Sequence, residues 1–333
     1  MKSILLIVVA VVLAAFSGCD RKTNFRLAAA DSLMEVRPDS ALEILDSVDS
    51  KSLSGENRAY YALLLTKAQY KNYITITSDS LINIALDYYD SGDRHIEALI
   101  YKGAALQDMG LTTEAIDCYK KAESLIPEDN YELLGYVNMR LGSLYSDVYI
   151  GNNEHIDKYK KALYYYNCSG NLKYQQVCAS VIGALFRATN IDSAYVYLNK
   201  ALKLSLRLND KERVCYNTSL LARAYYIDSL YAKSKDVAVD IINNFGDYIT
   251  DDAIFYDAAA AYAALGMTDS ARFYLPKDDY SALSVQEKVE RMVVLTKILY
   301  AEHRYKEAFD LNDQCTKLSD SITNNKEKIG FLS

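Results

Sequence analysis

Residues 96–129 read IEALIYKGAALQDMGLTTEAIDCYKKAESLIPED, and this stretch predicts a helix–turn–helix unit. Small, apolar and turn-forming residues stand at fixed positions within it: Gly103, Leu106, Gly110, Ala115, Tyr119, Ala122 and Pro127. The same pattern recurs along most of the chain. Because one helical pair cannot bury its apolar face alone, recurrence indicates a stacked array of repeats rather than a single globular core.

Seven other segments align with this unit, which gives about eight helix pairs. The position of Ala115 in the second helix of each pair is mostly occupied by a small residue. Intervals between these positions run from 35 residues (Ser80 to Ala115) to 41 residues (Ala115 to Ile156). The eight aligned positions are Ala41, Ser80, Ala115, Ile156, Ala194, Ser234, Ala271 and Ala308.

Aspartate–serine pairs recur in front of the second helices and predict where those helices begin. Both side chains can accept hydrogen bonds from the free N–H groups of a first turn, and aspartate also complements the helix dipole. Only three prolines occur in the chain, in agreement with an almost entirely helical fold. The pairs are Asp39-Ser40, Asp79-Ser80, Asp192-Ser193, Asp228-Ser229 and Asp269-Ser270.

The chain resembles a tetratricopeptide repeat (TPR) protein from about residue 25 to residue 321, and residues 96–129 carry that family's pattern at seven positions. The resemblance implies an all-α, right-handed α-solenoid of helix–turn–helix repeats, with ligands in a concave groove lined by the first helices. Gly103, Gly142 and Gly183 would let paired helices approach closely. Residues 322–333 are predicted to form a C-terminal tail.

Residues 1–18 predict a signal peptide that is removed. Lys2 supplies a positive charge, and residues 4–16 form an apolar run shorter than the roughly 20 residues of a membrane span. The sequence Phe16-Ser17-Gly18-Cys19 resembles a bacterial lipobox. Cys19 is therefore the predicted lipid attachment site and residues 19–24 a lipidated tether, in the cell envelope of a bacterium, with the outer membrane favoured over the inner. An ordinary secretory signal with an incidental cysteine is the alternative.

Mapping the groove face of the resembled family onto the first helices selects large aromatic and cationic side chains separated by small ones. Such a surface would suit an extended peptide or an acidic segment of another protein; alternatively, these tyrosines belong to the core. Replacing Arg223 and Tyr226 together is expected to weaken partner capture without unfolding the array. The selected residues are Tyr136, Met139, Arg187, Tyr216, Arg223, Tyr226, Tyr256, Lys297 and Tyr300.

Other functional classes find little support in the sequence. The net charge is −7 and no basic cluster occurs, which argues against a nucleic-acid partner. No catalytic motif, cofactor loop or metal-ligand spacing is present, so neither an enzyme, a cofactor nor a metal is predicted. The five cysteines after Cys19 are expected to be small buried hydrophobes, although Cys168 and Cys178 flank a turn and could pair.

The leading hypothesis is thus a membrane-anchored, extracytoplasmic TPR lipoprotein that acts as an interaction scaffold or adaptor through a tyrosine-rich groove. The first alternative is the sensor arm of a TPR-type regulator, since the chain is similar to the N-terminal repeat region of such bacterial regulators. If Ser333 is the natural terminus, a direct regulatory output is excluded. The second alternative is a glycan- or nutrient-binding lipoprotein, which the absence of tryptophan disfavours. Neither the partner's identity nor the oligomeric state follows from the sequence.

Overall fold

The computed structural model describes residues 24–148, 153–250, 252–277 and 280–332. Residues 1–18, Cys19 and most of the predicted tether lie outside this range. The described residues form sixteen α-helices and two short 3-10 turns, with no strand, so the all-α class is confirmed. The helices are α1 (residues 24–33), α2 (Pro38–Asp46), α3 (Gly55–Lys71), α4 (Ser80–Tyr88), α5 (Gly92–Asp108), α6 (Thr112–Leu125), α7 (Tyr131–Val148), α8 (Glu154–Ser169), α9 (Leu172–Phe186), α10 (Ile191–Leu208), α11 (Lys211–Ile227), α12 (Tyr231–Phe245), α13 (Ala253–Ala264), α14 (Thr268–Tyr274), α15 (Val285–Ala301) and α16 (Tyr305–Leu332).

Each first helix (odd number) is followed in this series by a second helix (even number). The aligned small position is buried in seven of the second helices, as in α6, where Ala115 is fully buried. The exception is Ser80, which is the exposed first residue of α4. That helix buries Ile82 and Ala85 instead, so the predicted register is wrong in the second repeat.

Two glycines of the first helices permit close helix packing. A Cβ atom at Gly183 would lie 2.7 Å from Leu198 Cγ on α10, and one at Gly103 would lie 2.9 Å from Tyr119 Cε2 on α6. Both distances are shorter than van der Waals contact. The predicted steric role of these two glycines is therefore confirmed, and the role of Gly142 stays a prediction.

The aspartate–serine pairs lie close to helix starts as predicted, but of the five only Asp79 stands at an N-cap position, and its side chain makes no capping hydrogen bond to α4. Asn190 caps α10 by accepting a hydrogen bond from the Ser193 N–H at 2.9 Å, so Asp192 lies inside the first turn. Asp228 ends α11 rather than starting α12. Asp39 and Asp269 also lie within first turns, where they complement the helix dipole without capping it.

The contacts divide the chain into two compact units, with the boundary after Val148. The first unit contains α1 to α7, and the second contains α8 to α16. The division separates α7 from α8, which the sequence alignment places in one repeat. In the second unit α16 continues through residues 322–332, so the segment assigned to a tail is helical up to residue 332.

The five cysteines after Cys19 all lie within the described residues. The cysteines after Cys19 are free, so the Cys168–Cys178 disulfide left open above is not formed. Cys168 is exposed rather than buried, whereas Cys178, Cys215 and Cys315 are buried as expected. Within the described ranges, no helix has the length and apolar character needed to cross a bilayer.

Candidate functional site

Two adjoining cavities of about 480 and 340 Å³ lie between first helices of the second unit. Side chains from α9, α11, α13 and α15 line both cavities. We call the two cavities together the cleft. Its shared wall is formed by Ala184, Arg187, Arg223, Tyr256 and Glu290.

Small residues at the centre of these helices leave the space for the cleft. Ala184 and Ser219 stand where longer side chains would fill the larger cavity, and Ala260 borders the smaller one. Helix α13 is rich in alanine, and most of its alanines are buried. Small residues let the helix backbones pack closely where they meet. Long side chains at the end of α9 and on α11 and α15 line the space that remains, which is the cleft.

An ion pair joins α11 to α13 at the wall of the cleft. Arg223 Nε lies 2.8 and 2.9 Å from the two carboxylate oxygens of Asp257, and the Ser219 hydroxyl donates to the same carboxylate at 3.1 Å. The Asp257 side chain is only 13% exposed. Burial raises the pKa of Asp257 to about 6, although Arg223 and Ser219 pull it in the opposite direction.

Arg187 contributes a second guanidinium close to this pair. Its Nε donates to the backbone oxygen of Ala184 at 3.2 Å, and within the described part of the chain no ion pair joins it to a carboxylate. Burial lowers the pKa of Arg187, and the positive charge of Arg223 lowers it further. The wall thus contains a half-buried cation that forms no ion pair among the described residues, and the nearby carboxylate of Asp257 raises its pKa.

Two tyrosines and a lysine complete the smaller cavity. Lys297 Nζ on α15 lies 4.2 Å from the centre of the Tyr226 ring on α11, a cation–π contact across the cleft. Tyr256 is 4% exposed, and its buried hydroxyl has no hydrogen-bond partner among the described residues. The wall therefore contains both aromatic surface and an unsatisfied hydroxyl.

The structure brings six of the nine sequence-selected residues together: Arg187, Tyr216, Arg223, Tyr226, Tyr256 and Lys297 line the cleft. Tyr300 does not line it; its exposed ring contacts the Tyr305 ring at 5.2 Å between centroids. Tyr136 and Met139 belong to the first unit and are half-buried there.

The sequence did not select the five acidic residues that line the cleft: Glu212, Asp252, Asp257, Glu287 and Glu290. Asp257 is surrounded in the sequence by alanine and tyrosine, and it is the only charged residue within α13. A single carboxylate in an otherwise apolar, buried helix is a signal for a paired charge, and it could have located the pair. Glu290 lies in a helix with several charges, so its sequence gives no comparable signal.

Comparison with known proteins identifies the fold. No family model matches the chain, and no curated protein matches its sequence. Among solved structures, NprR in complex with its cognate peptide NprX is similar with a TM-score of 0.57 and 15% identity over 94% of each chain. A Rap protein complexed with competence and sporulation factor has a TM-score of 0.56 and 15% identity, over 93% of this chain and 92% of that one.

A tetratricopeptide repeat protein from Parabacteroides merdae is also similar, with a TM-score of 0.55 and 15% identity over 82% of this chain and 99% of that one. These similarities confirm the predicted TPR-like fold, which is similar to that of bacterial regulators.

Proposed function

We propose that this protein is a lipid-anchored, extracytoplasmic scaffold that binds an extended segment of another protein in the cleft. One observation carries the proposal: Arg187, Tyr226, Tyr256 and Lys297 converge on cavities that small residues keep open. Aromatic rings supply rigid contact area, and the cations supply orientation. The complex of NprR with its cognate peptide NprX supports a peptide segment as the ligand class.

The binding role is tested with the variant Tyr226→Ala/Lys297→Ala. These two side chains contact each other across the cleft, and neither forms an ion pair within the described residues. We expect crosslinking in the native host, followed by mass spectrometry, to recover the partner with the wild type and to lose most of it with this variant. The matched control is Tyr164→Ala/Lys203→Ala, because both side chains are exposed outside the cleft. Equal recovery with both variants would contradict the proposal.

The structure changes the choice of variant made from the sequence. Arg223→Ala/Tyr226→Ala would leave the carboxylate of Asp257 buried without its cation. Loss of binding by that variant would therefore be combined with loss of stability. Keeping Arg223 intact removes this cause of instability, and a thermal melt of Tyr226→Ala/Lys297→Ala checks the remaining one, because Tyr226 packs against a buried cluster that includes residues of α13 and α15.

Membrane attachment is the second part of the proposal, and it depends on Cys19, which follows the lipobox-like residues of the N-terminus. We expect an alkyne-tagged palmitate to label the wild type in a bacterial host and the protein to sediment with outer membranes. Cys19→Ala should abolish both, whereas Cys168→Ala, at an exposed free thiol, should change neither. Labelling that survives Cys19→Ala would refute the anchor.

A second candidate is the sensor arm of a TPR-type regulator. The similarity to NprR and Rap structures favours it, together with a cleft of suitable size for a short peptide. Sequencing the transcript that contains this chain tests this candidate, because a sensor arm requires an output segment in the same reading frame.

A further inference from the structure

We infer that Arg187 receives a carboxylate of the bound segment, supplied either by a C-terminus or by an acidic side chain. This inference rests on the proposed function, because it names the chemistry that the cleft selects. It concerns a residue whose neighbours leave its charge without a partner, in contrast to Arg223, which is paired with Asp257.

The hydrogen-bonding capacity of Arg187 exceeds what the protein uses. A guanidinium has five N–H donors in a planar fork, and one of them, at Nε, donates to Ala184 O. Arg187 lines both cavities of the cleft. A planar carboxylate matches the remaining donors in a bidentate arrangement, which is the strong form of this interaction.

The electrostatic balance at this wall also favours an anion. In the smaller cavity Arg187, Arg223 and Lys297 carry three positive charges against the two negative charges of Asp257 and Glu290. The larger cavity is also lined by Glu212, Asp252 and Glu287, so the carboxylate is received on the side of the smaller cavity. The remaining positive charge is half-buried, so it is screened less than an exposed one. Glu290 keeps its negative charge, because the hydrogen bond that its carboxylate accepts at 3.3 Å comes from the neutral amide of Gln286 on the same helix.

Tyr256 gives an independent indication that the wall is incomplete without a ligand. Its side chain is 4% exposed, its hydroxyl lacks a partner among the described residues, and it lines both cavities. A buried hydroxyl without a hydrogen bond is costly. A carboxylate at Arg187 would bring acceptor oxygens to the wall that holds this donor.

The test uses three synthetic libraries of random heptapeptides and the immobilised full chain. The first library has free C-termini and contains no Asp or Glu; the second is amidated and contains both residues; the third is amidated and contains neither. Retention is measured by mass spectrometry for the wild type, Arg187→Gln, Arg187→Lys and the control Arg207→Gln, whose exposed side chain lies outside the cleft. A thermal melt of each variant checks folding.

We expect the wild type to retain the first or second library about tenfold or more above the third, since one charge-assisted bidentate pair is of that magnitude. The preferred library identifies the C-terminus or the side chain as the source. Arg187→Gln should reduce retention to the level of the third library, Arg187→Lys should restore part of it, and Arg207→Gln should match the wild type.

Three results would overturn the inference in distinguishable ways. If the wild type and Arg187→Gln retain all three libraries equally, the cleft binds peptides without using this charge, and the proposed function stands. If Arg187→Gln loses every library to the same degree, Arg187 supports the shape of the cleft rather than a carboxylate. If the wild type retains no library, peptide binding itself fails and the inference fails with it.

Discussion

The two units both place tyrosines and an arginine on their first helices, but they use them differently. In the first unit these groups contact one another: Tyr136 donates to the Tyr70 hydroxyl at 3.1 Å, the Tyr70 and Tyr101 rings meet at 5.8 Å, and Arg140 donates to Gln107, while Arg140 Nε has no hydrogen-bond partner among the described residues. In the second unit the corresponding kinds of side chain line the cleft. Similar side chains thus form a closed cluster in one unit and line an open cleft in the other.

The two units differ in the side chains that a neighbouring helix packs against these tyrosines and arginines. Helix α5 brings the large ring of Tyr101 to the cluster of the first unit, whereas α13 brings a run of alanines to the second. Alanine leaves room that tyrosine would fill, so Arg187 and Lys297 remain beside a cavity. The neighbour, more than the aromatic residue itself, therefore determines whether a tyrosine is core or surface.

The largest expected effect compares how much one arginine contributes to the free energy of unfolding in each unit. Arg223→Ala should lower the free energy of unfolding by about 3 kcal/mol, because it leaves the Asp257 carboxylate buried and unpaired. Arg140→Ala in the first unit should cost about 1 kcal/mol, since it removes a hydrogen bond to a neutral amide. Chemical denaturation at pH 8 measures both. Equal losses would remove the distinction between the two units.

The next effect concerns pH and again belongs to the second unit. The pKa of Asp257 is raised to about 6, so between about pH 4 and pH 6 the folded state holds a proton that the unfolded state has released. Stability from this group is complete below about pH 4 and is lost as the pH rises through 6.

Relative to Asp257→Asn, which does not titrate there, the wild type should lose about 2–3 kcal/mol of unfolding free energy across that window. Parallel denaturation series at pH 4, 5, 6 and 7 check this. A constant difference between the two proteins would show that Asp257 titrates alike in both states.

A smaller effect compares the helix contacts of the two units. Gly183→Ala should cost about 2 kcal/mol, because its new methyl group meets both Leu198 Cγ at 2.7 Å and the Leu198 backbone nitrogen at 3.0 Å. Gly103→Ala should cost about 1 kcal/mol, since it meets only the Tyr119 ring. Thermal melts measure both, with Gly246→Ala as a control that has no atom within 4 Å of the new group. A larger loss at Gly246 than at Gly183 would contradict the steric account.

The smallest expected effect distinguishes a residue of the closed cluster, which contributes to stability, from a residue of the cleft, which contributes to peptide binding. Tyr136→Phe should cost about 1 kcal/mol of stability, the value of one hydrogen bond to Tyr70, and should leave peptide retention unchanged. Lys297→Gln should do the reverse, weakening retention with a stability change within about 0.5 kcal/mol. A binding defect in Tyr136→Phe would return this residue to the recognition surface that the sequence assigned to it.

The sequence by itself determined the helical class and most of the repeat register, because both follow from local spacing. Residues 96–129 and the glycine at position 183 specify which helix faces meet, and the structure agrees at these places. The failures at Ser80 and at the aspartate–serine caps are shifts of one to three residues along a helix. Local propensity fixes the existence of a helix more firmly than its first residue.

Only the tertiary structure decided which charges are paired. Arg223 and Asp257 are 34 residues apart, and their contact depends on how α11 and α13 stack. The same stacking leaves Arg187 without a carboxylate and encloses the hydroxyl of Tyr256. The helical period selects a face of each helix, but the distance between two faces depends on the bulk of the residues packed between them. For that reason the sequence pattern selected six residues of the cleft together with Tyr136. It could not show that Tyr136 packs inside the first unit instead.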